Sequence, residues 1–213
     1  MTNLKTESKV LVAIPYHEKK RYCLDELFDT VQSLTYKNKE VLMRWDLEEY
    51  GGENNVKKQR EYFRRHFLDK NFTHLFFLGA DTLPPPNVLE RLLAHEKPVV
   101  GGVYYGRHGA QNGDIATAVA WRHDTKPKKL GKQLAEETEL MEVDGMGMDC
   151  VLFERRAIEL VGWNGWEVND DDYPMYDKLS QLGFTIYVDP LVHCRHYFNE
   201  RGYTYKGEVH VDA

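Results

Sequence analysis

HLFFLGADTLPPPN, residues 74–87, is the stretch from which the fold is read. An apolar run rich in Phe and Leu climbs to Gly79, offers a single acid at Asp81, and meets three prolines, Pro84 to Pro86. A short apolar run bounded by breakers predicts a buried strand. Proline fixes φ and lacks a backbone donor, so the strand cannot continue in a central sheet. The acid then stands at the carboxyl end of the strand, the end at which open α/β sheets take their ligands. A carboxylate there suits a hard divalent cation such as Mn²⁺ or Mg²⁺, which shares its coordination between one or two protein acids and substrate phosphates. The plainer alternative is that Asp81 caps the turn before the next helix.

Outward from this stretch, strands and helices alternate. KVLVAIPY (9–16) is a β-branched run stopped at Pro15, CLDELFDTVQSL (23–34) has helical spacing, and EVLMRWDL (40–47) is a second strand ending near Asp46. EYGGENN is a loop, VKKQREYFRRHFLDK (56–70) a basic amphipathic helix, NVLERLLAHE (87–96) a helix capped by Asn87, and PVVGGVYY (98–105) a strand. This alternation predicts an α/β fold with a mostly parallel sheet. Beyond it the character changes. ATAVAWRH (116–123) alternates as an antiparallel strand, and HDTKPKKLGKQLAEETE (123–139) reads as a polar, mobile excursion. A glycine-bearing strand and helix follow at 141–163, then an acid-led helix at 170–183 and a strand running into the His-rich 193–196. No internal repeat or domain linker interrupts the 213 residues, a length that suits a single domain.

The chain is 42% hydrophobic with a formal net charge of -6, which suits a folded globular protein and argues against nucleic acid as its main partner. A small phosphorylated ligand needs only local positive charge and stays open. Cys23, Cys150 and Cys194 are scattered and odd in number, as expected in a reducing compartment. No stretch is long and apolar enough to span a bilayer, and MTNLKTESK lacks the core of a secretion signal. The expectation is a soluble, cytoplasmic protein. Its end, YKGEVHVDA, shows no terminating element and is compatible with the first domain of a longer protein.

Other residues carry candidate chemistry. His193 and His196 in HCRH follow a strand and offer imidazoles to a metal such as Mn²⁺; without such an ion they are surface histidines. A zinc site with Cys150 and Cys194 is disfavoured because paired cysteine spacing is missing. In NDDDY (169–173) the acids either stabilise a helix N-terminus or supply a carboxylate for an acceptor hydroxyl. Arg60, on the basic helix, can pair with a diphosphate, whereas Lys57, Lys58, Arg64 and Arg65 read as a solvated helix face.

In their order these segments resemble the GT-A class of nucleotide-sugar glycosyltransferases, close to the small family-2-like enzymes of phages and large viruses. More narrowly, they resemble a chlorella-virus glycosyltransferase domain. VLVAIPYHE looks like the first strand, HLFFLGADTLPPPNVLERLLAHEKPVVGGVYY like the strand, D-x-D motif, helix and Gly-Gly strand. VDGMGMDCVLFERRAIELVG is similar to the strand and helix start on the acceptor side. NDDDYPMYDKLSQLGFTIYVDPLVHCRHY looks like the acidic helix and the strand ending in a metal-binding His.

The resemblance implies a Rossmann-like nucleotide-binding sheet flanked by helices, with a smaller antiparallel sheet on the acceptor side. It further implies one domain whose residues 1–106 bind a UDP-sugar and whose residues 107–213 bind a glycan acceptor. Mn²⁺ or Mg²⁺ would be held by Asp81 and His196, with His193 as alternate. Pro15, Tyr16, His17 and Asp46 would line the base and ribose, with Arg60, Gly79, Ala80 and Asp81 on the diphosphate side. Asp172 or Asp171, and less directly Asp170, would face the acceptor hydroxyl, and the Lys-rich 124–133 would fold over the donor. One departure stands out: the D-x-D motif is Gly79-Ala80-Asp81, so its first acid is missing. Two rival readings follow from the same residues. A sugar nucleotidyltransferase shares such a sheet but normally carries a glycine-rich signature near the first strand, absent from VAIPYHEKKRY. A non-catalytic UDP-sugar-binding module is suggested by the lost acid.

Overall fold

The computed structural model describes residues 7–46, 55–106, 116–162 and 172–211. A seven-stranded sheet forms its centre, in the order β2-β1-β3-β11-β5-β12-β9. These strands are β1 (Val10–His17), β2 (Lys39–Asp46), β3 (His74–Leu78), β5 (Val99–Val103), β9 (Met141–Val143), β11 (Cys150–Glu154) and β12 (Ile186–His193). β1 runs parallel to both β2 and β3, and β5 parallel to β12, while β11 is antiparallel to β3 and β5 and β9 is antiparallel to β12.

The alternation of side chains along β1 and β3 explains the layers. Leu11, Ala13, Leu75 and Phe77 point to one face, where they join Phe63 and Phe67 of α2 (Asn55–Leu68) and Ile158 of α5 (Arg155–Val161). Val10, Val12, Ile14, Phe76 and Leu78 point to the other, against Leu27 of α1 (Leu24–Ser33) and Val88, Leu89 and Leu92 of α3 (Val88–Ala94). Both faces are covered, which is why these strands read as continuous apolar runs. Rings of Phe63, Phe77 and Phe153 meet edge to face at 6.2–6.3 Å, bridging α2, β3 and β11. Asn87 precedes α3 without a side-chain capping bond, contrary to expectation; instead the amides of Val88 and Arg91 donate to Pro85 and Asn87 carbonyls.

A second, four-stranded sheet has the order β15-β14-β13-β4: β4 (Thr82–Leu83), β13 (Arg195–Asn199), β14 (Gly202–Tyr205) and β15 (Glu208–Val211). Short pairs complete the periphery: β6 (Tyr105–Gly106) with β7 (Thr117–Ala118), and β8 (Ala120–Trp121) with β10 (Gly145–Met146). The predicted excursion at 123–139 is a correction. It contains α4 (Pro127–Glu136), with Pro127 in the first turn and Leu130 and Leu134 fully buried against Ala116 and Ala118. Two leucines four residues apart were enough to dock a helix that carries no other large apolar side chain. The expected acidic helix is α6 (Tyr173–Gln181), closed by Gly183 at φ 83°, a left-handed position that suits glycine. No helix among the described residues is long and apolar enough to cross a membrane.

Candidate metal centre

After Leu78 the chain leaves the main sheet, passes Gly79, Ala80 and Asp81, and enters β4. There Thr82 lies opposite His196 and Leu83 opposite Arg195, and the Tyr197 amide donates to the Asp81 carbonyl at 2.8 Å. The prolines do not simply halt the strand; they close a two-residue strand that belongs to the second sheet. A backbone ladder therefore brings Asp81 and His196 together, with His196 Nε2 3.5 Å from Asp81 Oδ2. His196 Nδ1 donates to the Tyr105 carbonyl at 2.8 Å, which fixes the ring and turns Nε2 toward the acid. Tyr104 packs edge-on to the imidazole, ring centroids 5.2 Å apart.

A third donor was missed in the sequence. Asp149 precedes β11, and β11 is antiparallel to β3 with Cys150 opposite Leu78, so the residue before one strand meets the residue after the other. The Gly79 amide donates to the Asp149 carbonyl at 2.8 Å. A Cβ on Gly79 would lie 2.6 Å from Cβ and Cγ of Asp149 and 2.8 Å from its Oδ1. The Asp149 carboxylate thus fills the room beside Gly79, the position from which the truncated motif lacks its acid. The signal was present as an acid directly before an apolar strand, but it points to Asp81 only once the strand direction is known.

Asp81, Asp149 and His196 each present a ligand atom, all within 4.8 Å of one another. Two carboxylates and an imidazole whose far nitrogen is already engaged form a donor set that fits Mn²⁺ or Mg²⁺. The field inside is uneven. Burial works to raise the Asp81 carboxyl, but His196 and Lys20 outweigh it and hold it below the usual carboxylate range. Burial, then the charges of Asp81 and Asp172, push Asp149 up, with His196 and Arg60 offsetting only part. His196 is pulled down by burial but raised on balance by Asp81. A cation placed among these acids would offset the charge of Asp81 that helps push Asp149 up. The Lys20 ammonium, from a 3₁₀ helix over Glu18–Cys23, is hydrogen-bonded to the same Oδ2 of Asp81.

The other expected residues fall into groups. Arg60 Nη1 binds Asp172 Oδ1 at 2.6 Å, and the Met148 amide donates to Asp172 Oδ2 at 3.1 Å. Both side chains are largely buried, and Arg60 Nε has no hydrogen-bond partner among the described residues. The Arg60 guanidinium therefore spends one arm on the acid at the head of α6. Arg64 and Arg65 bond to Glu61 rather than standing as lone solvated charges. Asp170 and Asp171 lie outside the described residues.

His193 is not brought to Asp81 and Asp149: it stacks on Tyr105 at 6.4 Å, and burial pulls its pKa down to about 4. Pro15, Tyr16 and His17 end β1 beside Arg44, Trp45 and Asp46 of β2. Tyr16 is buried under the half-exposed Trp45, centroids 4.3 Å apart, and His17 Nδ1 accepts the Lys19 amide at 3.0 Å. Ala80 is buried, its carbonyl accepting from the Cys23 thiol at 3.3 Å. Residues 124–133 include the docked first turns of α4 rather than a free cover.

No protein-family model matches the chain, and no curated protein sequence matches it. Among solved structures, the crystal structure of A197 from STIV, a viral protein, matches with a TM-score of 0.66 at 20% sequence identity. The match covers 96% of this chain and 94% of that one. At that identity the likeness carries the fold: a GT-A-like α/β architecture with a mostly parallel sheet, helices on both faces and a small antiparallel sheet.

Proposed function

We propose that this chain is a metal-dependent glycosyltransferase that moves a sugar from a UDP-sugar donor to a hydroxyl of a glycan acceptor. One observation carries the reading: Asp81, Asp149 and His196 arrive from three separate elements and converge beside the carboxyl end of β3 in a GT-A-like sheet. Mn²⁺ or Mg²⁺ held there would neutralise charge growing on a departing nucleoside diphosphate.

The protein's own groups would divide the remaining work between the two halves of a single domain, donor in 1–106 and acceptor in 107–213. Pro15, Tyr16, His17 and Asp46 stand at the ends of β1 and β2, where a base and ribose would lie, with Gly79 and Ala80 beneath the diphosphate. Arg60 would add positive charge on the same side while holding the Asp172 carboxylate in place. Each Asp172 oxygen already accepts one donor and retains a lone pair for an acceptor hydroxyl. In the transfer, the acceptor's hydroxyl oxygen would bond to the anomeric carbon, the carbon–oxygen bond to the diphosphate would break and leave its electron pair on the diphosphate, and the hydroxyl proton would pass to Asp172 or, in the alternative assignment, to Asp171. Asp149 beside Gly79 weakens the case for a binding-only module, since the missing acid has a substitute.

The test is a panel of UDP-sugars with and without Mn²⁺, read as UDP release, on the wild type and the D81N and H196A variants. Metal-dependent release from at least one sugar, lost in both variants, is expected. Absence of transfer, of slow hydrolysis and of metal-dependent UDP binding across the panel refutes the proposal.

A further inference from the structure

We infer that Lys20 is a resident cation of the site: its ammonium occupies Asp81 until a divalent ion displaces it, and the displaced ammonium then binds the diphosphate. This rests on the metal-dependent reading of the same centre and assigns a role to a residue outside it. Three observations lead here. First, the ammonium bonds to Asp81 Oδ2, the oxygen that also faces His196 Nε2, and so sits among the groups that would ligate an ion. Second, its backbone is held in place while its side chain reaches solvent. The Cys23 thiol bonds to both the Lys20 and Ala80 carbonyls, at 3.2 and 3.3 Å, and so ties the end of the 3₁₀ helix to the strand exit beside Asp81. The Lys20 side chain is 40% exposed, against 6% for Asp81, so the lysine stands at the solvent side of the buried acid. Third, the carboxylates of Asp81 and Asp149 and the imidazole of His196 converge within 4.8 Å of one another, so the ammonium on Asp81 stands where an ion would gather all three donors.

A dication and an ammonium cannot share Asp81 without strong repulsion, so ion entry ejects the lysine. The two acids then balance the ion, and the diphosphate arrives with charge still to be met. A compact ammonium on a flexible stem, held nearby by its backbone, is suited to meet it. Lysine is therefore predicted to act with opposite sign on two ligands, which a merely structural residue would not do.

The experiment uses the full chain with Mn²⁺ alone, read from the paramagnetic resonance signal of the free ion, and then inorganic pyrophosphate at saturating Mn²⁺, read by calorimetry. Lys20→Met is expected to tighten Mn²⁺ binding by about tenfold, as removal of a competing cation should. The same variant is expected to weaken pyrophosphate binding by about tenfold, the loss of one charge-assisted hydrogen bond. Lys20→Arg, which keeps the charge, should stay near the wild type in the Mn²⁺ titration. Mn²⁺ affinity unchanged or weakened in Lys20→Met overturns the inference, as does unchanged pyrophosphate binding. Asp81→Asn separates the two levels. If it abolishes Mn²⁺ binding while Lys20→Met changes nothing, the lysine is idle and the metal reading stands; if it leaves Mn²⁺ binding intact, both fall.

Discussion

Gly79→Ala asks whether glycine is required there for room alone. The added Cβ would sit 2.6 Å from Asp149 Cβ and Cγ, where ordinary contact begins at 3.4 Å. Asp149 must therefore retreat by about 0.8 Å, against a backbone that also accepts the Gly79 amide. Overpacking of this kind costs about 1–3 kcal/mol. At about 2 kcal/mol, a chain of this size loses roughly 4–8 °C in Tm. Gly79 has no left-handed φ, so in an Asp149→Gly background the clash partner is gone and the same substitution should be neutral or stabilise by about 0.4–1 kcal/mol. The two backgrounds then differ by about 2 kcal/mol in a double-mutant cycle measured by urea unfolding. The exchange variant G79D/D149G returns a carboxylate from the other side, and its Mn²⁺ affinity should exceed that of D149G alone. An equal cost of Gly79→Ala in both backgrounds would refute the steric account.

Further outcomes are expected elsewhere. Burial works to raise Asp189, but His95, the Leu191 amide and Arg91 hold it below the usual carboxylate range, so its stabilisation is present above the unfolded value near ~3.9 and is lost as pH falls through the lower folded value. D189N should therefore be less stable than wild type at pH 7, with the gap closing in acid unfolding scans below about pH 4. His196→Ala should cost at least about tenfold in Mn²⁺ affinity, whereas His193→Phe should leave it unchanged, as titrations of the free ion would report. Leu134→Ala, at a fully buried site on α4, should cost about 2–5 kcal/mol in chemical unfolding, while a floppy cover over the donor would lose almost nothing.

The sheet was legible because its strands announce themselves twice, as apolar runs and as runs that stop. Val10–His17 and His74–Leu78 are covered on both faces, so no polar residue interrupts them. Asp81 and His196 were legible for a different reason, since each follows such a run. Asp149 precedes one, and a sequence does not state strand direction; the antiparallel entry of β11 is a tertiary fact. Helix α4 escaped because Leu130 and Leu134 are its buried leucines amid lysines, a glutamine and a glycine, too sparse a stripe to read as periodic. Lys20 was invisible because nothing local connects it to Asp81. His193 was a reasonable alternate by spacing, but its ring is spent on packing with Tyr105 and Tyr205.

The insertion of β11 between β3 and β5 also constrains how the chain is made. During synthesis β3 and β5 emerge well before β11, leaving two bare edges with a gap one strand wide between them. Such a slot cannot close by local pairing, so collapse must wait for a late segment, which favours slow folding and exposes sticky edges meanwhile. A fragment ending at residue 106 would keep the slot open permanently. Split halves should recover solubility only when the second half supplies Cys150–Glu154, a donor strand already encoded in the same polypeptide.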